Sequence, residues 1–348
     1  MVALGVFLHA LGGFAAGSFY IPFKKVRDWA WESYWLAGGL FSWIIMPLLV
    51  AWLTVPSLFS VLGGAPKSSI FWCYLFGLLW GVGGLTFGLS MRYLGMSLGY
   101  AIALGFCAAF GTIIPPIFRG KFIYLVTHVS GLTTLAGVLV CLGGIGICGW
   151  AGMLKEKELP DAKKKETIKE FNFAKGLWIA VFAGVMSACM AFGIAAGDPI
   201  AELAVDRGTP SLWMVNPVYI VIFAGGFTTN FIWCVFLNIK NKSAGNYLNR
   251  SDAPLLSNYI FSAMAGITWY FQFMFYGMGT TRMGEYNFSS WTIHMAFIIV
   301  FSNVWGLIFH EWKGSGRRTH KIVFAGIIVL ILSTVVVGFG NYLAALGK

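Results

Sequence analysis

"GLLWGVGGLTFGLSMRYLG", residues 77–95, recurs in altered form as "GITWYFQFMFYGMGTTRMG", residues 266–284. At a constant offset of 189 residues, three glycines and one tryptophan of the first copy find the same residue in the second. The matched pairs are Gly77 and Gly266, Trp80 and Trp269, Gly88 and Gly277, and Gly95 and Gly284. Two weaker matches, "AGGL" at 37–40 with "AGGF" at 224–227 and "LAGVLV" at 135–140 with "FAGIIV" at 324–329, follow at nearly the same spacing. The chain is therefore predicted to consist of two related halves.

The composition is typical of a protein embedded in a membrane. Of 348 residues, 58% are apolar and 11% are charged, whereas soluble domains carry about 25% charged residues. Many uninterrupted apolar stretches approach the ~20 residues that a helix needs to cross a bilayer. The six cysteines fall inside these stretches without the spacing of a metal site, so we expect them to pack as small buried side chains.

Hydropathy predicts an all-α polytopic membrane protein with ten transmembrane helices. The helices are expected at 2–21, 32–54, 69–91, 96–118, 131–152, 176–196, 212–238, 257–279, 288–309 and 321–343. The predicted organisation is a first five-helix repeat at 1–152, a charged linker at 153–175 and a second five-helix repeat at 176–348. Because five is an odd number, the second repeat enters the membrane inverted relative to the first, an arrangement found in secondary transporters.

Positive charge predicts the orientation in the membrane. The loops after the odd-numbered spans, together with Lys321 at the start of the tenth span, hold 18 of the 24 Lys and Arg residues, and such loops remain in the cytoplasm. The linker is thus expected in the cytoplasm and both termini in the periplasm. This distribution accounts for the net charge of +11 and argues against a nucleic-acid partner. The lipid bilayer is the expected surrounding, and no obligatory protein partner is evident.

The sequence lacks the motifs of an enzyme or a pump. It contains no P-loop and no zinc motif. It also offers no soluble domain that would support a Gly-x-Ser-x-Gly nucleophile turn. We therefore expect no enzymatic activity, no cofactor and no metal. A secondary transporter is the leading interpretation. An exporter or exchanger of small metabolites on the same fold, and a membrane-embedded enzyme or non-transporting sensor, are the alternatives.

Ionisable residues within or beside the spans are candidates for proton coupling, because a charge in hydrocarbon is costly unless it has a function or a partner. The candidates are His9, Glu32, Glu285 and His294. Packing of the histidines, and a favourable helix-terminal position for Glu32, are the competing explanations. Arg92 and Arg282 are candidates for gating, with anchoring at the membrane boundary as their alternative.

Neutral polar and aromatic residues are candidates for binding a neutral ligand. A sugar stacks its C–H face on an aromatic ring and forms hydrogen bonds through its hydroxyls. Trp80 and Trp269 fall near the middle of their spans, and an inverted repeat would place them at the same depth. The predicted substrate-binding residues are Trp80, Trp269, Gln272, Asn216, Tyr219 and Asn230. Core packing of the two large rings is the alternative.

Three stretches resemble the bacterial L-rhamnose–proton symporter family of the drug/metabolite transporter superfamily. They are "FYIPFKKVRDWAWESYW" at 19–35, "GLSMRYLGMSLGYAIALG" at 88–105 and "SSWTIHMAF" at 289–297. The resemblance covers nearly the whole chain, including its length and ten-span plan. It implies proton-driven uptake of L-rhamnose across a bacterial inner membrane, with L-lyxose or mannose as poorer substrates.

Overall fold

The computed structural model describes residues 2–94, 96–118, 120, 122–158, 173–248, 254–284, 290–308 and 314–347. All regular secondary structure in these ranges is helical. The helices are α1 (Val2–Ser18), α2 (Tyr20–Phe23), α3 (Trp31–Leu40), α4 (Met46–Thr54), α5 (Leu58–Gly64), α6 (Lys67–Leu94), α7 (Met96–Phe118), α8 (Phe122–Thr127), α9 (Val129–Glu158), α10 (Phe173–Ala196), α11 (Asp198–Asp206), α12 (Asn216–Lys240), α13 (Leu255–Thr280), α14 (Ser290–Ile308) and α15 (Arg317–Ala345). A π-helical turn at Phe41–Ile45 joins α3 to α4, and 3₁₀ turns lie at Ser211–Trp213 and Ser243–Leu248.

Helices occupy all ten predicted spans. Among the described residues, seven helical segments are long and apolar enough to cross a bilayer. These segments are Val2–Phe23, Trp31–Thr54, Lys67–Ser90, Val129–Lys155, Ala174–Asp206, Ser211–Lys240 and Arg317–Gly340. The chain is therefore a multi-pass membrane protein. Helices α7, α13 and α14 coincide with the fourth, eighth and ninth predicted spans, for which membrane crossing stays a prediction. Most of the linker, 159–172, lies outside the described residues.

The described chain forms two compact units. Unit 1 comprises Met1–Phe14, Gly83–Phe192 and Gly279–Lys348. Unit 2 comprises Ala15–Val82 and Gly193–Met278. The limits of the units fall inside α1, α6, α10 and α13, so each unit draws on both halves of the sequence.

In unit 1, α9 and α15 pack closely through small residues. Gly137 of α9 lies against Val337 of α15, and Gly326 of α15 lies against Cys148 of α9. Gly137 and Gly326 occupy matching positions in the repeated "LAGVLV" and "FAGIIV" stretches. Small residues allow such close approach of helices in a membrane, where dispersion contacts hold helices together.

In unit 2, the glycines at the start of the repeated stretch bring helix backbones into contact. Gly77 of α6 faces the carbonyl of Ile222 in α12, and Gly266 of α13 faces the carbonyl of Gly38 in α3. A Cβ at either glycine would overlap the facing carbonyl oxygen. Only glycine permits this approach, so both glycines of this matched pair lie at close helix crossings.

Proline explains the π-helical turn in unit 2. Pro47 has no N–H to donate to the carbonyl four residues earlier and its ring crowds that turn, and the five residues Phe41–Ile45 just before α4 are π-helical. The turn carries the side chain of Trp43, which is buried in unit 2. Such turns occur frequently at functional sites.

Candidate functional site

Five aromatic rings from four elements meet inside unit 2. This aromatic cluster consists of Trp43, Trp80, Phe223, Trp269 and Phe273. The ring centroids of Trp80 and Trp269 lie 5.6 Å apart with the planes inclined at 38°. Trp43 meets both rings edge-on, at 6.2 Å from Trp80 and 5.8 Å from Trp269. The predicted pair of tryptophans thus shares one cluster.

The two phenylalanines complete the cluster. The ring of Phe223 lies 6.0 Å from Trp80 and 5.6 Å from Trp269. The ring of Phe273 lies 5.2 Å from Trp269 and 5.3 Å from Phe223. Tilted and edge-to-face arrangements at these distances suit the quadrupoles of aromatic rings. Gly226 makes room on α12, because a Cβ there would overlap the ring of Trp80.

A recess of about 10 Å³, close to the space that a single water molecule needs, adjoins the cluster. Phe19, Phe23, Trp35, Gly38, Gly39, Ser42, Trp43, Ala265, Gly266 and Trp269 line it. Pockets for drug-sized ligands usually enclose roughly 300–1,000 Å³. The lining of the recess is mostly apolar, and the recess is much smaller than such a pocket. It must therefore widen before a ligand of that size can enter.

Two buried polar atoms of this region have no hydrogen-bond partner among the described residues. They are the indole Nε1 of Trp43 and the hydroxyl of Tyr219. Tyr219 stacks on Phe223, with centroids 5.4 Å apart and planes at 10°. Leaving a buried donor unsatisfied costs free energy, so a ligand hydroxyl that reached either atom would recover a hydrogen bond.

Gln272 lies in α13 three residues after Trp269, on a neighbouring helix face. Its side chain is 6% exposed, and the structure records no hydrogen bond between it and the described residues. A carboxamide offers two donors and one acceptor. Among the predicted ligands of a sugar, Gln272 therefore retains its full hydrogen-bonding capacity.

The two predicted asparagines of α12 hold helices together. Asn230 accepts a hydrogen bond from Trp35 Nε1 at 3.0 Å and donates to the carbonyl of Gly226 at 2.9 Å. Asn216 donates to Thr54 Oγ1 at 2.8 Å. Their positions tie α12 to α3 and α4.

The structure brings two of the predicted proton-coupling residues together in unit 1. The rings of His9 on α1 and His294 on α14 are fully buried, with centroids 6.3 Å apart and planes at 61°. A Cβ at Gly279 would lie 2.7 Å from Cε1 of His9. Trp291, one turn before His294, donates to the carbonyl of Cys107 at 3.0 Å and fixes α14 to α7. Sequence alone gave no sign that these histidines are neighbours.

Glu32 begins α3 in unit 2 and is 3% exposed. Its Oε1 accepts hydrogen bonds from Ser243 Oγ at 2.6 Å and from Asn241 Nδ2 at 3.0 Å. Asn238 extends the network, because its Oδ1 accepts from Ser243 at 3.0 Å and from Ser33 at 3.3 Å. The carboxylate is thus held by neutral donors at the end of α12 and in the turn that follows.

The remaining predicted site residues are less fully described. Arg282 lies just after α13 in unit 1 and is partly buried, with its backbone N–H donating to Gly279 at 2.9 Å. Arg92 belongs to α6, but its side chain is not among those described. Glu285, a predicted proton-coupling residue, lies outside the described residues.

The whole chain matches known sugar–proton symporters. Residues 1–344 match the family model of the L-rhamnose-proton symport protein (RhaT). The chain is 38% identical over 342 residues to the L-rhamnose-proton symporter of Citrobacter koseri, which covers 97% of this chain and 98% of the relative. With the same coverage, it is 39% identical to the symporter of Cronobacter sakazakii and 37% identical to that of Mannheimia succiniciproducens.

The chain belongs to the L-rhamnose-proton symport family. Members of this family are transporters and not enzymes, in agreement with the lack of catalytic motifs in the sequence. Identity of this extent over nearly full length also confirms the family expected from the three stretches at 19–35, 88–105 and 289–297.

For this member of the L-rhamnose-proton symport family, sequence reasoning missed several residues around the site. The sequence contains a signal for Trp43. This residue lies four positions before Pro47, and a proline leaves the carbonyl four residues earlier without its usual N–H partner. The neutral partners of Glu32 lay in a segment scored only for its positive charge. Those residues are Asn241 and Ser243.

Proposed function

We propose that this chain imports L-rhamnose together with protons across the bacterial inner membrane. The observation that carries the proposal is the Trp80–Trp269 pair, which lies beside buried polar groups without partners, in a chain of the L-rhamnose-proton symport family. Aromatic faces and unsatisfied donors together are what a neutral sugar requires.

In the proposed binding mode, the C–H face of the sugar stacks on the indole of Trp269 or Trp80. Gln272 forms hydrogen bonds with the sugar hydroxyls, and Trp43 Nε1 and the Tyr219 hydroxyl add two further contacts. The rings must part to admit the sugar, because the adjoining recess is narrow. Asn216 and Asn230 support this site by fixing α12. L-Lyxose and mannose, which share hydroxyl-bearing rings, are proposed as weaker substrates.

The coupling proton is proposed to bind at His9, His294 or Glu32. These residues are titratable and buried. One proton that enters with a neutral sugar gains about 2.3 kcal/mol per 100 mV. This energy supports roughly 50-fold accumulation of sugar per 100 mV. Glu285 stays a candidate from sequence, with Arg92 and Arg282 as proposed gating residues.

The proposed architecture is ten transmembrane helices in two inverted five-helix repeats that alternate access to the sugar site. Support comes from the equivalent backbone crossings at Gly77 and Gly266 and from the meeting of Trp80 with Trp269. The positive charge of the loops supports a cytoplasmic linker and periplasmic termini.

Uptake into proteoliposomes tests the function. The purified chain, reconstituted with an inside-alkaline pH gradient, is expected to accumulate labelled L-rhamnose above the outside concentration. A protonophore should abolish the accumulation, and liposomes without protein should show none. Counterflow without uphill uptake would indicate an exchanger, and chemical conversion of the sugar would indicate an enzyme. Competition by L-lyxose and mannose ranks the substrates.

A further inference from the structure

Two segments of unit 2 are bound to each other by side-chain hydrogen bonds. We call them the latch: residues 27–33 on one side and residues 238–248 on the other. Beyond the bonds of Glu32, Asn246 Oδ1 accepts from Ser33 Oγ at 2.9 Å and from the backbone N–H of Ala30 at 3.1 Å. Asn246 Nδ2 donates to the carbonyl of Asp28 at 3.5 Å. The turn after α12 is therefore docked on the start of α3.

Backbone strain is concentrated in the latch. Apart from glycines, the described residues adopt a positive φ at two positions, Asp28 at 56° and Lys242 at 55°. Each lies on one side of the latch, and Lys242 stands between Asn241 and Ser243, the two donors to Glu32. Left-handed residues other than glycine persist only where their surroundings impose them, and they cluster at switches and functional sites. The hydrogen bonds to Glu32 are such a constraint.

The two oxygens of the Glu32 carboxylate have different surroundings. Oε1 accepts both hydrogen bonds, and the 2.6 Å bond from Ser243 has the length of a charge-assisted O–H···O⁻ bond. The backbone N–H of Glu32 also donates to its own carboxylate, and no other described residue donates to Oε2. A proton can therefore add to Oε2 without displacing Ser243 or Asn241. It would convert Oε1 from a charged to a neutral acceptor, and bonds to a charged acceptor are roughly twice as strong.

No other titratable group of the latch changes its charge near neutral pH. Tyr34 of α3 and Cys234 of α12 are electrostatically coupled to Glu32, and free phenols and thiols have pKa values of about 10 and 8.5. Burial raises the pKa of Tyr247. In the part of the chain that the structure describes, Glu32 has no ion pair.

Four charged side chains belong to the latch. Arg27 and Asp28 lie in the loop before α3, Lys240 is the last residue of α12, and Lys242 lies in the turn that follows. All four side chains are exposed, so water screens their effect on Glu32. Glu32 is thus the residue of the latch whose charge changes when a proton binds.

We propose that Glu32 is a proton-operated latch residue: its carboxylate docks the turn 241–248 on the start of α3, and protonation at Oε2 releases it. The hydrogen bonds favour the charged carboxylate in the docked state, so the docked state binds a proton more weakly than the released state. Docking is therefore favoured at high pH and is lost as the pH falls.

This assignment rests on the proposed function for its role in transport. Both sides of the latch lie in loops expected in the cytoplasm. A proton that reaches Glu32 releases the turn and opens the cytoplasmic side for sugar exit. Loss of that proton from Oε2 to cytoplasmic water restores the carboxylate, and the turn docks again.

Hydrogen exchange of the full chain in lipid nanodiscs tests the latch, read by mass spectrometry without sugar. After correction for intrinsic exchange, amides of 241–248 should lose protection in the wild type as the pH is lowered. Glu32→Gln mimics the protonated form and should exchange about five- to ten-fold faster in this segment at high pH, with little further change with pH. Glu202→Gln, which changes an exposed carboxylate of α11, should behave as wild type.

Ser243→Ala provides a second variant that leaves the carboxylate in place. It should weaken protection of 241–248 at high pH, while part of the pH dependence remains through Asn241. Protection of α9 and α15 should be unchanged in all variants, which shows that they fold. Two results would overturn the proposal. In one, protection of 241–248 in the wild type does not vary with pH; in the other, Glu32→Gln leaves that protection intact. The exchange experiment contains no sugar, so it tests the latch independently of transport. A protein whose latch responds to pH but that fails to transport L-rhamnose would refute the proposed function and leave the latch proposal standing.

Discussion

The indole rings of Trp80 and Trp269 lie 5.6 Å apart, although 189 residues separate them in the sequence. Each ring follows a glycine, Gly77 or Gly266, that brings its helix into backbone contact with a neighbour. The glycines thus set the distance between helices, and the tryptophans three residues later fill the space that the crossing leaves. Equivalent positions of the two halves build one aromatic cluster.

Removal of the stacking rings should weaken sugar binding. Trp269→Ala is expected to lower the affinity for L-rhamnose by roughly five-fold or more, because a stacking ring contributes on the order of 1 kcal/mol beyond its buried area. Trp269→Phe should retain part of the affinity, and the same pair at Trp80 should behave alike. Titration calorimetry in detergent measures the effect. Trp178→Ala, which removes a tryptophan with 74% exposure, is the control, and unchanged binding in both alanine variants would move the site elsewhere.

Alanine at the crossing glycines should destabilise the protein. A methyl group at Gly77 or Gly266 overlaps a carbonyl of the facing helix, and such overpacking costs about 1–3 kcal/mol. Gly88→Ala is the matched control, because no atom lies within 4 Å of a Cβ at this position of α6. Alanine in a helix interior is favoured over glycine by up to about 1 kcal/mol. Thermal unfolding in detergent should therefore shift down for Gly77→Ala and Gly266→Ala, and up or not at all for Gly88→Ala.

The paired histidines should be needed for uphill transport. His9→Gln and His294→Gln remove the titratable ring at a buried position and are expected to abolish pH-driven accumulation of L-rhamnose. Counterflow should survive, because equilibrium exchange needs no net proton movement. His128→Gln removes an exposed histidine and should transport normally. Accumulation that persists in both buried variants would transfer the coupling role to Glu32 or Glu285.

The C-terminus is expected on the periplasmic side. A reporter enzyme that is active only outside the cytoplasm should be active when fused after Lys348, and silent when fused within the linker at 153–175. This result follows from the excess of Lys and Arg in the loops after odd-numbered spans. The opposite pattern of reporter activity would show that the topology is inverted.

Sequence reasoning located the helices well, since hydropathy and helix length are local properties of a membrane chain. It also matched Trp80 with Trp269 at one offset, and the structure places their rings in one cluster. It did not place His9 beside His294, since that contact joins α1 to α14 across 285 positions of the chain. No local pattern encodes such a pairing.

The surroundings of Glu32 were also beyond the reach of the sequence. The position of Glu32 at the first turn of α3 follows from the pattern of apolar residues. Its donors, Asn241 and Ser243, belong to a turn whose fold depends on a left-handed Lys242. Lysine has no preference for that conformation, so only the assembled structure explains why the turn forms there.

The contact between Gly266 and Gly38 can form only after α13 has been synthesised. The ribosome releases α3 about 230 residues before α13, and at roughly 5–20 residues per second α3 waits in the membrane for some 10 to 45 seconds. During that interval its glycine face is open to lipid. A chain cut short before α13 cannot close that face.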